Sequence, residues 1–319
     1  MELRQLTSTD STAWSQLIAT AFNRTLEEAA AVWRWLHANH DLVAWGAWEG
    51  EHLAAQYSCL LRPLYLPTTQ STHSVGISTN MAVDPAYRGR GLVKQVAEPV
   101  YAELKARGVL AGVGFSNAEG VKVDQRSQGY GYRVVGALAA HLIWLPACSS
   151  TVAQSTEQAT WQLTTTLPNI ETALQTQPAD KICFAGAWRT LQNRFVTHPF
   201  RQYRFWVYRS ADGTVMGVVV DRPTALLRLA GSSLLAVYGR DMTEVLRRWT
   251  MAIRAQGAHF VRVLATPCAS ALLVLRTLGL SIKLRPRQPH YLTVKPLQST
   301  CPAGLFDFAQ WDCLGGEVL

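Results

Sequence analysis

Charge is scarce in this chain of 319 residues: 16% are Asp, Glu, Lys or Arg, against 48% hydrophobic residues. With 11 Trp, 10 Tyr and 9 Phe as well, this is not the composition of a disordered segment, which has too little apolar surface to offset the entropy of ordering. No apolar run approaches the ~18–20 residues that span a bilayer, so no membrane partner is expected. The start, Met1-Glu2-Leu3-Arg4-Gln5, lacks the basic stretch and apolar run of a secretory signal. Cysteine is sparse and scattered (Cys59, Cys148, Cys183, Cys268, Cys301, Cys313), with no C-x-x-C pair. That spacing fits reduced thiols in a cytoplasmic protein rather than disulfides or zinc. There is no G-x-S-x-G elbow, no Walker loop and no G-x-G-x-x-G after a first strand. His37-x-x-His40 has a conceivable metal spacing but no third ligand, so no metal is expected.

What is present divides at mid-chain. The net charge of +8 arises entirely after Pro146, where 18 Lys+Arg face 10 Asp+Glu; before it, 12 face 12. Fifteen of the later cations are Arg. They suit a nucleic-acid face or a scattered solvated surface, and their even spread favours the second. The polar stretch 147–160 reads as a linker between domains at 1–146 and 161–298, with a tail over 299–319. On both sides the same order recurs: hairpin, strand, helix, strand, helix, strand. In the first half, Thr25-x-x-Glu28 opens a helix as a capping box, Leu42–Trp48 and Leu53–Tyr65 form a hairpin, and Tyr132–Trp144 reads as one long strand. In the second, Pro168–Thr176 and Phe184–Phe195 read as helices and Tyr291–Val294 as a last strand.

The strongest local signal is Met81-Ala82-Val83-Asp84-Pro85-Ala86-Tyr87-Arg88-Gly89-Arg90-Gly91-Leu92. A strand runs into a turn with two glycines and two arginines, and a helix begins there. Glycine lets backbone N–H groups approach a ligand closely, and a helix N-terminus adds unpaired donors and a positive dipole end. Arg88 and Arg90 can pair with phosphate. The physics is that of an anion site.

The surrounding order of strand, V-D-P-x-Y-R-G-R-G-L, helix, strand, Asn117, helix and Gly131-Tyr132 resembles the GNAT superfamily of acyl-CoA N-acyltransferases. Arg88 and Gly91 match the first positions of its R/Q-x-x-G-x-G/A loop, while Val93 stands where Gly or Ala is usual. The resemblance implies an α/β (α+β) GNAT fold, a mixed central sheet with flanking helices, in two tandem copies of which the second is degenerate. It also implies acetyl-CoA, or another acyl-CoA, as co-substrate. The pantetheine arm is expected along Met81, Ala82 and Val83, and the pyrophosphate on Arg88, Gly89, Arg90, Gly91, Leu92 and Val93, with Asn117 nearby. The second half carries Tyr238-Gly239-Arg240-Asp241-Met242 at the equivalent turn, where one glycine and a carboxylate argue against phosphate.

Acid and base are less legible. Counting back from Tyr132 to the family's usual tyrosine position gives Ser127, with Tyr130 as a substitute proton donor. The family's carboxylate on the fourth strand is missing, since no Asp or Glu lies between Glu51 and Asp84. His73 is the only imidazole there. Trp33, Trp35, Trp45 and Trp48 fall where the family builds its acceptor groove. The tail from Phe306 to Leu319 is apolar enough to dock, and its carboxylates at Glu317 and Leu319 are further candidate bases. The expected activity is transfer of an acetyl group to a small-molecule amine, with no nucleic-acid partner. Two alternatives stay open: a non-catalytic acyl-CoA-binding regulatory module, and a Fem-like aminoacyl transferase using tRNA.

Overall fold

The capping box forms: the Glu28 N–H donates to Thr25 Oγ1 at 3.1 Å and the Thr25 N–H to Glu28 Oε2 at 3.0 Å. It starts α2 (Leu26–Asn39), which pairs with α1 (Ser11–Phe22). These contacts come from a computed structural model that describes residues 1–125, 131–146, 160–167, 169–171, 180–186 and 188–317. The first sheet contains β1 (Glu2–Gln5), β2 (Leu42–Glu49), β3 (His52–Leu66), β4 (Ser71–Val83), β5 (Ala111–Ser116) and β6 (Arg133–Ala137). Between β4 and β5 runs α3 (Leu92–Ala106), and after β5 comes α4 (Ala118–Gln125). Trp14, Leu17, Ile18, Trp33 and Leu36 seal one face of this sheet, while Val96, Val100 and Leu104 of α3 seal the other. Each such side chain contributes roughly 1.5–3 kcal/mol through burial.

The later strands are β7 (Ala139–Trp144), β8 (Thr160–Thr164), β9 (Cys183–Phe184), β10 (Arg204–Arg209), β11 (Val215–Leu226), β12 (Leu229–Gly239), β13 (Phe260–Ala265), β14 (Leu280–Leu284) and β15 (Tyr291–Pro296). Their helices are the short α5 (Trp188–Leu191), α6 (Met242–Ala255) and α7 (Ser270–Leu278). The first sheet has the order β1-β2-β3-β4-β5-β15-β6, with β9 on β3; the second has β14-β7-β13-β12-β11-β10-β8. Read from the ends of β1 and β8, both place a parallel pair (β4/β5, β12/β13) at the same position.

One sequence reading is corrected here. The single strand expected over Tyr132–Trp144 breaks at Leu138, whose N–H donates to the His290 carbonyl at 2.8 Å. Its first part, β6, stays in the first sheet. Its second part, β7, pairs with β13 and β14 in the second. In return β15 lies between β5 and β6. Each half thus lends a strand to the other, and a cut at 146 does not separate the sheets. Apolar side chains on both faces drive the exchange: β7 is buried over Ala139–Ile143, and Leu292 and Val294 are fully covered.

Phe184–Phe195 is likewise not one helix. Residues 183–184 pair with β3, and α5 passes into a π-helical turn, Gln192–Val196. Most of the helix expected at Pro168–Thr176 lies outside the described residues. The tail is docked: Leu305, Trp311 and Cys313 are buried, and the Trp311 indole donates to the Leu305 carbonyl at 3.0 Å.

Candidate active site

Strands β4 and β5 pair at only three positions, Val75 with Ala111, Gly76 with Gly112 and Ile77 with Val113. Beyond Ile77 they part. The register between β3 and β4 steps from Ser58–Thr79 to Gln56–Ala82, so two residues, Asn80 and Met81, oppose Tyr57. Asn80 lies in the left-handed region at φ 50°. A bulge of this kind bends its strand and frees backbone groups from the ladder. Met81, Ala82 and Val83, the residues expected to carry a pantetheine arm, follow on the edge that faces the gap.

Below the gap the chain turns through the glycine loop. Gly89 and Gly91 have φ of 81° and 70°, and a Cβ on either would meet open space. Gly91 is the N-cap of α3, so the first N–H groups of that helix point out of the turn. The loop is braced from one side. Asp84 accepts from the Ala86 N–H at 2.9 Å and contacts His52 Nε2 at 3.0 Å. Tyr87 donates to Glu49 and stacks on His52, and Arg90 lies over the Tyr87 ring at 4.8 Å. Arg90 therefore leans back on the turn, whereas Arg88 is exposed. Leu92 is buried and Val93 packs against the α3-side core, which takes its branched side chain away from the loop mouth. Asn117 caps α4, its Oδ1 accepting from the Gly120 N–H at 2.8 Å.

Hydroxyl groups crowd the top of the gap. A cavity of about 30 Å³ is lined by Tyr57, Ser78, Met81, Ser116, Gly120, Tyr132 and Thr293. Tyr101 donates to Tyr57 at 2.9 Å, Tyr57 donates to Ser78 Oγ at 2.9 Å, and the Tyr57 and Tyr132 hydroxyls lie 3.3 Å apart. Gly112 makes room for this: a Cβ there would stand 2.4 Å from the Tyr132 hydroxyl. Burial pushes the Tyr57 and Tyr101 phenols up, so both are neutral donors. Thr293 Oγ1 is buried without a hydrogen-bond partner, and Thr293 belongs to the exchanged strand β15. Lys295, two residues on, is half-buried with its ammonium 4.7 Å from the Tyr101 ring. Burial lowers its pKa.

The remaining candidates do not converge here. Ser127 and Tyr130 lie outside the described residues. His73 sits near the β3–β4 turn, 2.9 Å from Ser71 Oγ, about 16 Å along the strand from Ser78 at the usual rise per residue. None of the four groove tryptophans lines the cavity. Trp33 is core, Trp35 donates to the Asn193 carbonyl at 2.8 Å, Trp45 donates to Glu103 at 3.1 Å, and Trp48 lies under Arg4. His40 is pushed down to about 4 by burial and by Arg62 and Arg194. No group of three or more potential metal ligands occurs among the described residues. Glu317 pairs with Arg62 at 3.2 Å and does not line the cavity; Leu319 is not among the described residues. Tyr57, Ser78 and Thr293 were not singled out in the sequence. The bulge that aims the first two has no residue signature, and Thr293 arrives from 177 positions past Ser116 by strand exchange.

A family model described as acetyltransferase (GNAT) domain matches residues 2–133. The matched stretch holds β1 to β5, the glycine loop and α3. The likeness of fold extends over both halves. A probable N-acyltransferase of Enterococcus faecalis superposes with a TM-score of 0.71 at 14% identity, over 93% of this chain and 72% of that one. A GCN5-related N-acetyltransferase of Anabaena variabilis gives 0.68 at 11%, over 93% and 73%. Eis1 of Mycobacterium abscessus gives 0.63 at 13%, over 93% and 74%. At such identities the structural likeness concerns the fold. No curated protein matches the sequence. No described helix is long and apolar enough to cross a membrane.

Proposed function

We propose that this protein is an acyl-CoA-dependent N-acetyltransferase that acetylates the amine of a small molecule. The observation that carries the reading is the coincidence of a parted β4/β5 pair, a bulge at Asn80–Met81 and a glycine-flanked helix N-terminus at the foot of the same gap. Acyl-CoA in that gap has its diphosphate at Arg88–Val93 and its amide arm along Met81–Val83. The N–H groups at the bulge are the donors available to a thioester carbonyl, and donors fixed before reaction stabilise the oxyanion without reorganising.

A neutral amine attacks the carbonyl carbon, the C–N bond forms, and the C–S bond breaks with its electron pair on sulfur. The amine proton passes to water. The thiolate takes its proton from the hydroxyl network, for which Tyr132 is our assigned donor, backed by Tyr57 and Ser78. Tyr130 and Ser127 remain the competing assignment. Acetyl, the smallest common acyl group, suits the small cavity of about 30 Å³ at the apex of the gap.

A role on tRNA draws no support from the cationic half. Arg204 is held by Asp221, Arg247 and Arg248 share Glu244, and Arg194 is buried. Thiol release from acetyl-CoA, measured against a panel of small amines, tests the proposal. Amine-dependent release supports transfer. Binding of acetyl-CoA without release under any amine would leave the non-catalytic binding module as the reading.

A further inference from the structure

The two sheets repeat not only their strand order but also the place where they part. Strands β12 and β13 pair in parallel over four positions, from Gly231–Phe260 to Leu234–Val263. The register of β11 on β12 then steps from Asp221–Leu234 to Val220–Ala236, which leaves Leu235 as an extra residue. This is the counterpart of the bulge on β4; it lies one residue beyond the end of the parallel pairing, where the β4 bulge lies three beyond. In the first sheet the gap beyond it is lined by hydroxyls. In the second sheet it is filled.

The filler is the segment Cys313–Glu317. Leu314 bridges Ala265, the last residue of β13, in antiparallel fashion. Gly315 lies on Leu264, where a Cβ would come 3.0 Å from that side chain. Gly316 lies on the bulge itself, where a Cβ would come 2.2 Å from the Leu235 carbonyl oxygen. No larger residue fits between the strands at that point. The segment is locked in by one backbone bond and by the Thr266 hydroxyl. The Thr266 N–H donates to the Cys313 carbonyl at 3.0 Å, the Cys313 N–H to Thr266 Oγ1 at 3.1 Å, and Thr266 Oγ1 to the Trp311 carbonyl at 2.6 Å. Just before it, Asp312 accepts from the Ser270 hydroxyl at 2.5 Å and its N–H at 3.2 Å. Beyond the seat, Glu317 reaches Arg62 on β3 of the other sheet.

We propose that the gap between β12 and β13 is a peptide-binding cleft whose ligand is this chain's own segment Cys313–Glu317. The segment stands where, on the reading given above, the first sheet takes acyl-CoA. An amide-bearing arm is the common chemistry: Cys313 and Leu314 pair at the end of β13 before the chain enters the 3-10 turn Gly315–Glu317, as the amides of a pantetheine arm would pair with a parted strand edge. The mouth of the second cleft agrees. Its helix N-terminus is already capped by Asp241, whose Oδ1 accepts from the Glu244 N–H at 3.0 Å, so a diphosphate would meet a carboxylate there. The chain therefore carries one acyl-CoA site, and its C-terminal segment is a structural part of the second sheet.

Hydrogen–deuterium exchange on the full chain, with acetyl-CoA counted by native mass spectrometry, tests this. The unmodified protein should protect residues 313–317 and the bulge strand 234–239, and should bind one acetyl-CoA. Gly316→Val should speed exchange in both segments at least tenfold. If that variant does not fold, Gly315→Ala and Gly316→Ala should give smaller increases confined to the same two segments. Protection of the tail unchanged in all three variants, or two acetyl-CoA molecules on the unmodified chain, would overturn the proposal. A protected, Gly316-dependent tail on a chain that binds no acetyl-CoA would instead sink the proposed activity and leave the cleft assignment standing.

Discussion

Replacing Gly91 separates backbone from charge at the proposed diphosphate site. Its φ is 70°, and a Cβ there meets nothing within 4 Å, so a substitution adds left-handed strain but no clash. That strain is about 1–2 kcal/mol for an ordinary residue and smaller for Asn or Asp. Gly91→Asn and Gly91→Asp thus share their backbone effect and differ in one negative charge. A carboxylate about 5 Å from a phosphate charge is repelled by roughly 1–3 kcal/mol, depending on how much water screens the pair. Two diphosphate charges double this to roughly 2–6 kcal/mol, a loss of affinity between about thirty-fold and 10⁴-fold. Calorimetric titration of acetyl-CoA should show Gly91→Asp weaker than Gly91→Asn by at least thirty-fold, with matching melting temperatures. Arg88→Ala removes one charged hydrogen bond and should lose about 1.5–3 kcal/mol. Equal affinities for the Asn and Asp variants would mean that the diphosphate does not lie on this loop.

Three further outcomes are expected. Tyr132→Phe should lower kcat about a hundredfold or more, as loss of a general acid does, with the KM for acetyl-CoA unchanged; an unchanged kcat returns the role to Tyr130 or Ser127. His40 and His198 are each pushed down to about 4, His40 by burial and by Arg62, Arg194 and His198, and His198 by burial and by Arg201, Arg194 and Arg24. The unfolded chain then binds more protons than the folded one between about pH 6.5 and 4, so stability falls as the pH drops through that window. At about 1.4 kcal/mol per pKa unit, discounted for partial exposure, His40 contributes roughly 2 kcal/mol and His198 less, and His40→Gln should flatten the urea midpoint across that range. Glu317→Gln should destabilise the fold by roughly 2–3 kcal/mol, since it leaves Arg62, 7% exposed, without its carboxylate; an unchanged urea midpoint would show the pair to be solvent-screened.

The first sheet and the loop could be read from the sequence because their signals are local. The capping box at Thr25, the hairpin of Leu42–Trp48 and Leu53–Tyr65 and the turn at Arg88–Gly91 each fix their geometry within a few residues, and each forms as expected. The strand exchange was hidden for the opposite reason. Nothing in Tyr132–Trp144 marks Leu138 as a crossing point, because both parts of the segment are strand-forming and apolar. Only the partners differ, and they lie more than a hundred residues away. The groove tryptophans show a related limit, since Trp is as well suited to a core as to a ligand wall. Here Trp33 and Trp48 are core, and Trp35 and Trp45 use their indole N–H groups to tie elements together.

The exchange also bears on why a half without the glycine loop accompanies the half that has one. Without β15, the β5 and β6 edges of the first sheet would expose unpaired backbone, and such edges invite pairing with other chains. Leu292 and Val294, fully buried, would have no counterpart in that core. The cavity would also lose Thr293, and with it one wall of the place where the thioester is proposed to react. The second half is therefore not an appendage to a finished domain. It supplies the sixth strand of the first sheet, receives β7 in exchange, and closes its own cleft with the chain's last described residues. A half without the glycine loop can still be held to its fold by these requirements. They constrain β15 and Gly316 through packing alone, while leaving the loop at Tyr238–Met242 free of any need to bind a diphosphate.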